Sequence, residues 1–90
     1  MKTKPYKDNI VKKGTRIRSF HQSVDPEELV WHRDKENRHV KIIKSDNWKI
    51  QMENSVPVKL EEGKVYFIPK DTFHRVIKGN SSLILEIEEK

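Results

Sequence analysis

Two histidines and one carboxylate are the residues of this 90-residue sequence best suited to do chemistry: His32 and Asp34, two positions apart, and His74 far downstream. In an extended strand, residues two apart project to the same face with about 6.6 Å of rise between them. On that spacing Val30, His32 and Asp34 share one side and Leu29, Trp31 and Arg33 take the other. Imidazole nitrogen and carboxylate oxygen both bind divalent transition metals at roughly 2.0–2.2 Å. Two histidines with one carboxylate leave positions open for substrate or dioxygen, the pattern of non-heme iron(II) sites. The chain has no cysteine, so thiolate sites and disulfides are excluded and histidine and carboxylate are the strong ligands left. The expected ligands are His32, Asp34 and His74, and the expected cofactor is a divalent transition metal, iron(II) first, with manganese, nickel or zinc as alternatives. A metal-free polar network of the same residues stays open, as does an acid–base pair of His32 with Asp34 serving an isomerase.

Two further residues are candidates for holding a substrate. Arg38 has the parity of the apolar Val40 and Ile42, so it points inward with them, where a guanidinium suits a carboxylate or phosphate. The alternative for Arg38 is an ion pair with Asp34. Gln51, on the opposite parity from Ile50 and Met52, is the second candidate substrate contact. His39 lies on the outward parity of its strand, which speaks against it as a ligand.

The elements that must deliver these groups are short. Gly63, five residues of strand character and Pro69 describe a turn, a strand and a forced bend, because glycine permits the tight entry and proline has no N–H for a ladder. His74 follows five residues after that bend. The stretch resembles the second motif of the cupin superfamily: glycine, five residues, proline, one residue, glycine, two residues, histidine. Asp71 stands where that motif has its second glycine. The first cupin motif, His-x-His, three or four residues, then Glu, is matched at His32, with Asp34 in place of the second histidine and the glutamate position falling on Arg38 or His39. The resemblance implies a small double-stranded β-helix, a jelly-roll barrel, with His32 and His74 at metal-ligand positions and Asp34 exchanging one ligand type for another. A 2-oxoglutarate oxygenase, which shares the His-x-Asp and distant His, places a basic residue about ten positions beyond the distal histidine. Here that position is Ile84, so 2-oxoglutarate is not expected.

The chain supports an all-β reading without the resemblance. Strands are predicted over residues 15–20, 29–33, 38–44, 48–52, 56–60, 64–68, 73–78 and 83–88, separated by turn residues such as Ser45-Asp46-Asn47 and Gly79-Asn80-Ser81. The charge on 15–20 suits an edge strand. Asp25-Pro26-Glu27-Glu28 opens a helix that can run for one turn at most. Only 33% of residues are hydrophobic and the mean hydropathy is −0.90. Ninety residues with so small an apolar supply make one domain, expected to gain stability from a second copy of itself or a bound ion. Of the formal net charge of +5, residues 1–20 carry +6, so residues 1–14 read as a basic arm ahead of a β-barrel domain over 15–90. Such an arm attracts phosphate, but nucleic acid is not the favoured partner because no nucleic-acid fold signature accompanies it. The favoured partner is a small anionic molecule, with a non-catalytic binding module as a further alternative. No apolar run is long enough for a membrane span, and the expected location is the cytoplasm.

Overall fold

The computed structural model of the chain describes residues 4–89; Met1, Lys2, Thr3 and Lys90 lie outside the described residues. Eight strands follow one another: β1 (Lys7–Lys12), β2 (Thr15–Phe20), β3 (Arg38–Lys44), β4 (Lys49–Met52), β5 (Val58–Lys59), β6 (Val65–Ile68), β7 (His74–Ile77) and β8 (Leu83–Glu89). A single 3₁₀ turn, Pro26–Glu28, lies between β2 and β3. Its start is set locally: the Asp25 carboxylate accepts from the Glu27 N–H, and proline takes the first position, where no N–H is needed. No described helix is long and apolar enough to cross a membrane.

The strands form two antiparallel sheets, one ordered β1-β2-β8-β3-β6 and the other β5-β4-β7. Period-two alternation explains their packing. In β8, Leu83, Leu85 and Ile87 are buried and Ile84, Glu86 and Glu88 take the outer face; in β3, Arg38, Val40 and Ile42 turn inward. Ile50 and Leu60 oppose them from the smaller sheet, and Trp48 fills the centre with no exposure, its indole N–H donating to the Ser81 carbonyl at 2.7 Å. Burying an aromatic of that size is stabilising only because its polar edge keeps a partner. Gly79 is required by this packing. A methyl group there would sit 2.2 Å from the Asp46 carbonyl oxygen and 2.6 Å from the Trp48 ring.

Three expectations need correction. The closed barrel is not formed: among the described residues no ladder joins the edge strands of the two sheets, whose facing sides pack instead as a sandwich. Residues 29–33 are not a strand. Leu29 is taken as the cap of the 3₁₀ turn, Val30 and Trp31 are 60% and 42% exposed, and His32 alone pairs, in an isolated bridge to His74. Finally, β2 is not an edge. β1, drawn from the basic segment, pairs outside it, and β8 lies on its other side. The arginines of β2 therefore serve ion pairs: Arg18 engages Asp8 through two nitrogens at 2.8 and 3.0 Å, and Arg16 bonds Glu89.

Candidate metal centre

Between the sheets lies a cavity of about 330 Å³, walled by apolar side chains of both, among them Val40, Ile50, Leu60, Val76 and Leu85. Its polar groups are Arg18, Glu28, His32, Asp34, Arg38, Tyr6, Tyr66 and His74. The bridge that brings His32 to His74 is closed on both sides, His32 N–H to His74 O at 3.0 Å and His74 N–H to His32 O at 2.8 Å. It places the two rings side by side with centroids 4.3 Å apart. Asp34 is delivered by the loop that follows, and that loop is tied down by the Asp71 N–H, which donates to the Asp34 carbonyl at 2.7 Å.

Each histidine has one nitrogen committed. Nδ1 of His74 bonds the Thr72 carbonyl at 2.8 Å and Nδ1 of His32 bonds the Val30 carbonyl at 3.0 Å. A carbonyl can only accept, so both Nδ1 atoms carry the proton, and either ring in its neutral form presents a bare Nε2 lone pair. Burial pushes the pKa of His74 down. The Thr72 carbonyl opposes that shift, His32 adds to it, Asp34 opposes it and Arg38 adds to it, and the net direction is downward. His74, 3% exposed, is therefore neutral at pH 7.

The bare Nε2 of His74 faces Asp34 Oδ2 at 3.4 Å. Two acceptors this close repel unless something positive lies between them. Arg38 Nη1 lies 3.1 Å from the same oxygen without the alignment of a hydrogen bond, so Oδ2 is buried with no donor. One ligand atom from each of His32, Asp34 and His74 lies within 4.8 Å of the others. Donors at ~2.1 Å from one ion are about 3 to 3.5 Å apart when adjacent in tetrahedral or octahedral geometry. The His74–Asp34 pair already has that separation, and His32 completes the set from its exposed side. The donor set, the orphaned oxygen and the paired lone pairs fit a divalent transition ion.

The remaining candidates divide. Arg38 is inward, as expected, and lines the cavity, but it is held at both ends: Nε donates to Glu89 Oε2 at 2.9 Å, Nη2 lies 2.8 Å from the same oxygen, and Nη1 makes the alternative ion pair with Asp34 Oδ2 at 3.1 Å. Gln51 does not line the cavity. Its oxygen accepts from Arg75 at 3.0 and 2.9 Å, its amide donates to the Ser55 carbonyl, and it sits on the outer face, away from the cavity where a substrate contact was expected. His39 is outward, its ring tilted by 45° against that of Phe67 with centroids 5.0 Å apart, and it is not among the converging ligand atoms. Sequence reading missed Tyr6, Arg18 and Glu89. Arg18 shares the inner parity of Phe20, which was a usable signal, whereas the Asp8 and Glu89 carboxylates that neutralise the two arginines reach them only through strand pairing.

No protein-family model matches the sequence, and no curated protein matches it. Solved structures do match its fold. One is a cupin-2 domain containing protein from Shewanella frigidimarina, 19% identical, with 94% of this chain and 79% of that one covered at a TM-score of 0.69. A second is an RmlC-like cupin family protein with a double-stranded β-helix fold from Methanocaldococcus jannaschii, 18% identical over 97% of this chain and 81% of that one, TM-score 0.68. A third is the iron(II) form of HppE, 13% identical over 94% of this chain, TM-score 0.70; this chain spans 48% of its length.

Proposed function

We propose that this chain, a small domain with the cupin fold, binds one divalent transition metal through His32, Asp34 and His74 and receives a small anionic molecule in the cavity beside it. The observation that carries the reading is the His74 Nε2 lone pair facing the donorless Asp34 Oδ2 at 3.4 Å, with His32 completing the set. An ion held there supplies Lewis acidity and open coordination positions. The iron(II) form of HppE among the structural neighbours supports placing iron(II) first.

The chain's own residues then have separate roles. His32 and His74 hold the nitrogen donors in one tautomer through the Val30 and Thr72 carbonyls. Arg38 orients Asp34 and, of its five N–H groups, keeps those of Nη1 and one of Nη2 beyond its contacts with Glu89. These meet a carboxylate or phosphate entering beside Asp34. The apolar walls from Val40, Leu85 and Val76 exclude water from the bound molecule.

The test is metal analysis of protein purified without chelator or affinity tag, followed by titration with Fe(II), Mn(II), Ni(II) and Zn(II). Close to one equivalent per chain is expected, lost in His74→Ala and in Asp34→Ala while circular dichroism keeps the β signature. Wild type that takes up none of the four ions removes the reading. The 3.4 Å contact would then be read as a shared proton, an acid–base pair of His74 with Asp34 serving a metal-free isomerisation.

A further inference from the structure

The outer face of the smaller sheet carries a charge pattern that nothing in the cavity explains. Register places Lys49 directly opposite Lys59 on one side and Ile77 on the other, and Gln51 opposite Arg75. The His32–His74 bridge continues the face by one more row: Trp31 falls opposite Arg75 and Arg33 opposite Phe73. Cation–π contacts agree, with the Arg75 guanidinium 4.8 Å from the Trp31 ring and that of Arg33 5.1 Å from the Phe73 ring. The face thus has four cations and two aromatics, 42% and 40% exposed, against one acid, Glu53, whose N–H donates to the Phe73 carbonyl at 2.9 Å at the end of the last row. Among the described residues none of the four cations makes an ion pair. Two acids flank the face, Glu53 beside Phe73 and Glu61, which is bonded to Lys64 and also feels the charge of Lys59, so the four cations outnumber them.

Like charges directly opposite in a sheet are destabilising, and this chain avoids them elsewhere. On the outer face of the larger sheet, Lys41 stands opposite Glu86 and His39 opposite Glu88. The contrast between the two faces points to a ligand that is itself anionic along its length. The aromatics narrow its class. Diagonal cross-strand neighbours such as Trp31 and Phe73 lie about 7–8 Å apart, roughly twice the ~3.4 Å rise of a stacked strand. Exposed rings interleaved with arginine form a platform for unpaired bases, with the cations left for phosphates. We propose that the outer face of β4, β5, β7 and the Trp31–Arg33 segment binds single-stranded nucleic acid, bases on Trp31 and Phe73 and phosphates on Arg33, Lys49, Lys59 and Arg75. This surface lies on the opposite side of the His32–His74 bridge from the metal ligands, and the proposal is independent of metal.

Trp48 is fully buried, so Trp31 is the reporter. Titrating the full chain with a 12-nucleotide oligothymidylate should quench tryptophan fluorescence. The slope of log affinity against log salt should be about −3, for four phosphates neutralised on a single strand. Trp31→Ala should weaken binding about 10-fold, read by anisotropy of a labelled oligonucleotide. Lys49→Glu has two readouts of opposite sign: it should raise the melting temperature by relieving the Lys49–Lys59 pair, and weaken binding at least 10-fold. The double variant Lys12→Glu, Lys13→Glu, on exposed positions at the end of β1 and in the turn after it, removes more charge and should change affinity less than 2-fold. Any of three results overturns the proposal: no quenching, equal affinity for oligoglutamate, or a loss in the turn variant as large as in Lys49→Glu.

Discussion

The backbone N–H of Asp71 donates to the carbonyl of Asp34 at 2.7 Å, and this one bond holds the carboxylate of the candidate centre to the turn that precedes its buried histidine. Asp71 makes the bond from a left-handed backbone, φ 60°, at the position where the matching motif has glycine. The turn geometry is kept although the residue differs.

Replacing Asp71 by glycine should therefore remove strain without moving the turn. Asp tolerates the left-handed region better than most residues, so the gain is modest, about 0.5–1 kcal/mol. Urea denaturation checks it. A loss of stability would show that the Asp71 side chain, and not its backbone, holds the turn.

Gly79→Ala should cost about 3 kcal/mol, at the upper end of overpacking effects. The added methyl meets backbone oxygen at 2.2 Å and the fully buried Trp48 ring, neither of which can retreat cheaply. The near-ultraviolet signal of Trp48 should weaken along with the melting temperature. Gly63→Ala is strained by its φ of 85° but meets nothing within 4 Å, and should cost less.

Asp8 gives acid sensitivity with a definite sign. Burial raises its pKa, but the Arg18 hydrogen bonds with the charges of Arg18, Arg16 and Lys4 outweigh burial and hold it below the ordinary aspartate value. In the window between its folded and unfolded pKa values the unfolded chain binds more protons, so stability rises with pH there. The contribution is complete above the unfolded value and is lost as pH falls through the folded one. Asp8→Asn should be about 2–3 kcal/mol less stable at pH 7, because the guanidinium of Arg18 is left buried with no counter-charge. The gap from wild type should shrink below pH 4, as denaturation across pH 7 to pH 3 would show.

Long-range ¹⁵N–¹H spectra of the metal-free chain should show both His32 and His74 protonated at Nδ1 at pH 7. His74 should titrate below the ordinary histidine range because burial disfavours its charged form. Its neutral form then contributes stability above the unfolded pKa, and that contribution is lost as pH falls through the lower folded value. An Nε2-protonated His74 would place a donor against Asp34 and remove the case for an ion there.

Local pattern made much of this legible. The boundaries of β3 follow from alternation and those of β2 from its flanking turns despite imperfect alternation, and Gly63 and Pro69 bracket β6 and place His74 beyond the bend. His32, Asp34 and His74 do converge, although by a different route from the one the spacing suggested. Their approach depends on a one-residue bridge and a loop, not on a strand over 29–33, because the cap of the 3₁₀ turn consumes Leu29. What could not be read is whatever depends on strand order. The charge of β2 suits an edge or an interior strand equally until Asp8 and Glu89 are placed beside it. Gln51 and Arg38 each have a plausible parity, and only the assembled sheets show that one faces the cavity and the other Arg75.

The hairpin of β1 and β2 also bears on how the basic end of the chain should be studied. Arg18 sits under Tyr6, its guanidinium 3.6 Å from the ring centre, with Asp8 as its counter-ion, and Tyr6 and Arg18 form part of the cavity wall. Cutting the chain at residue 14 would strip that guanidinium of both its shield and its counter-charge and flood the chamber behind it. A deletion made to test the role of the lysines would report a damaged container, so charge reversal at Lys12 and Lys13 is the cleaner experiment.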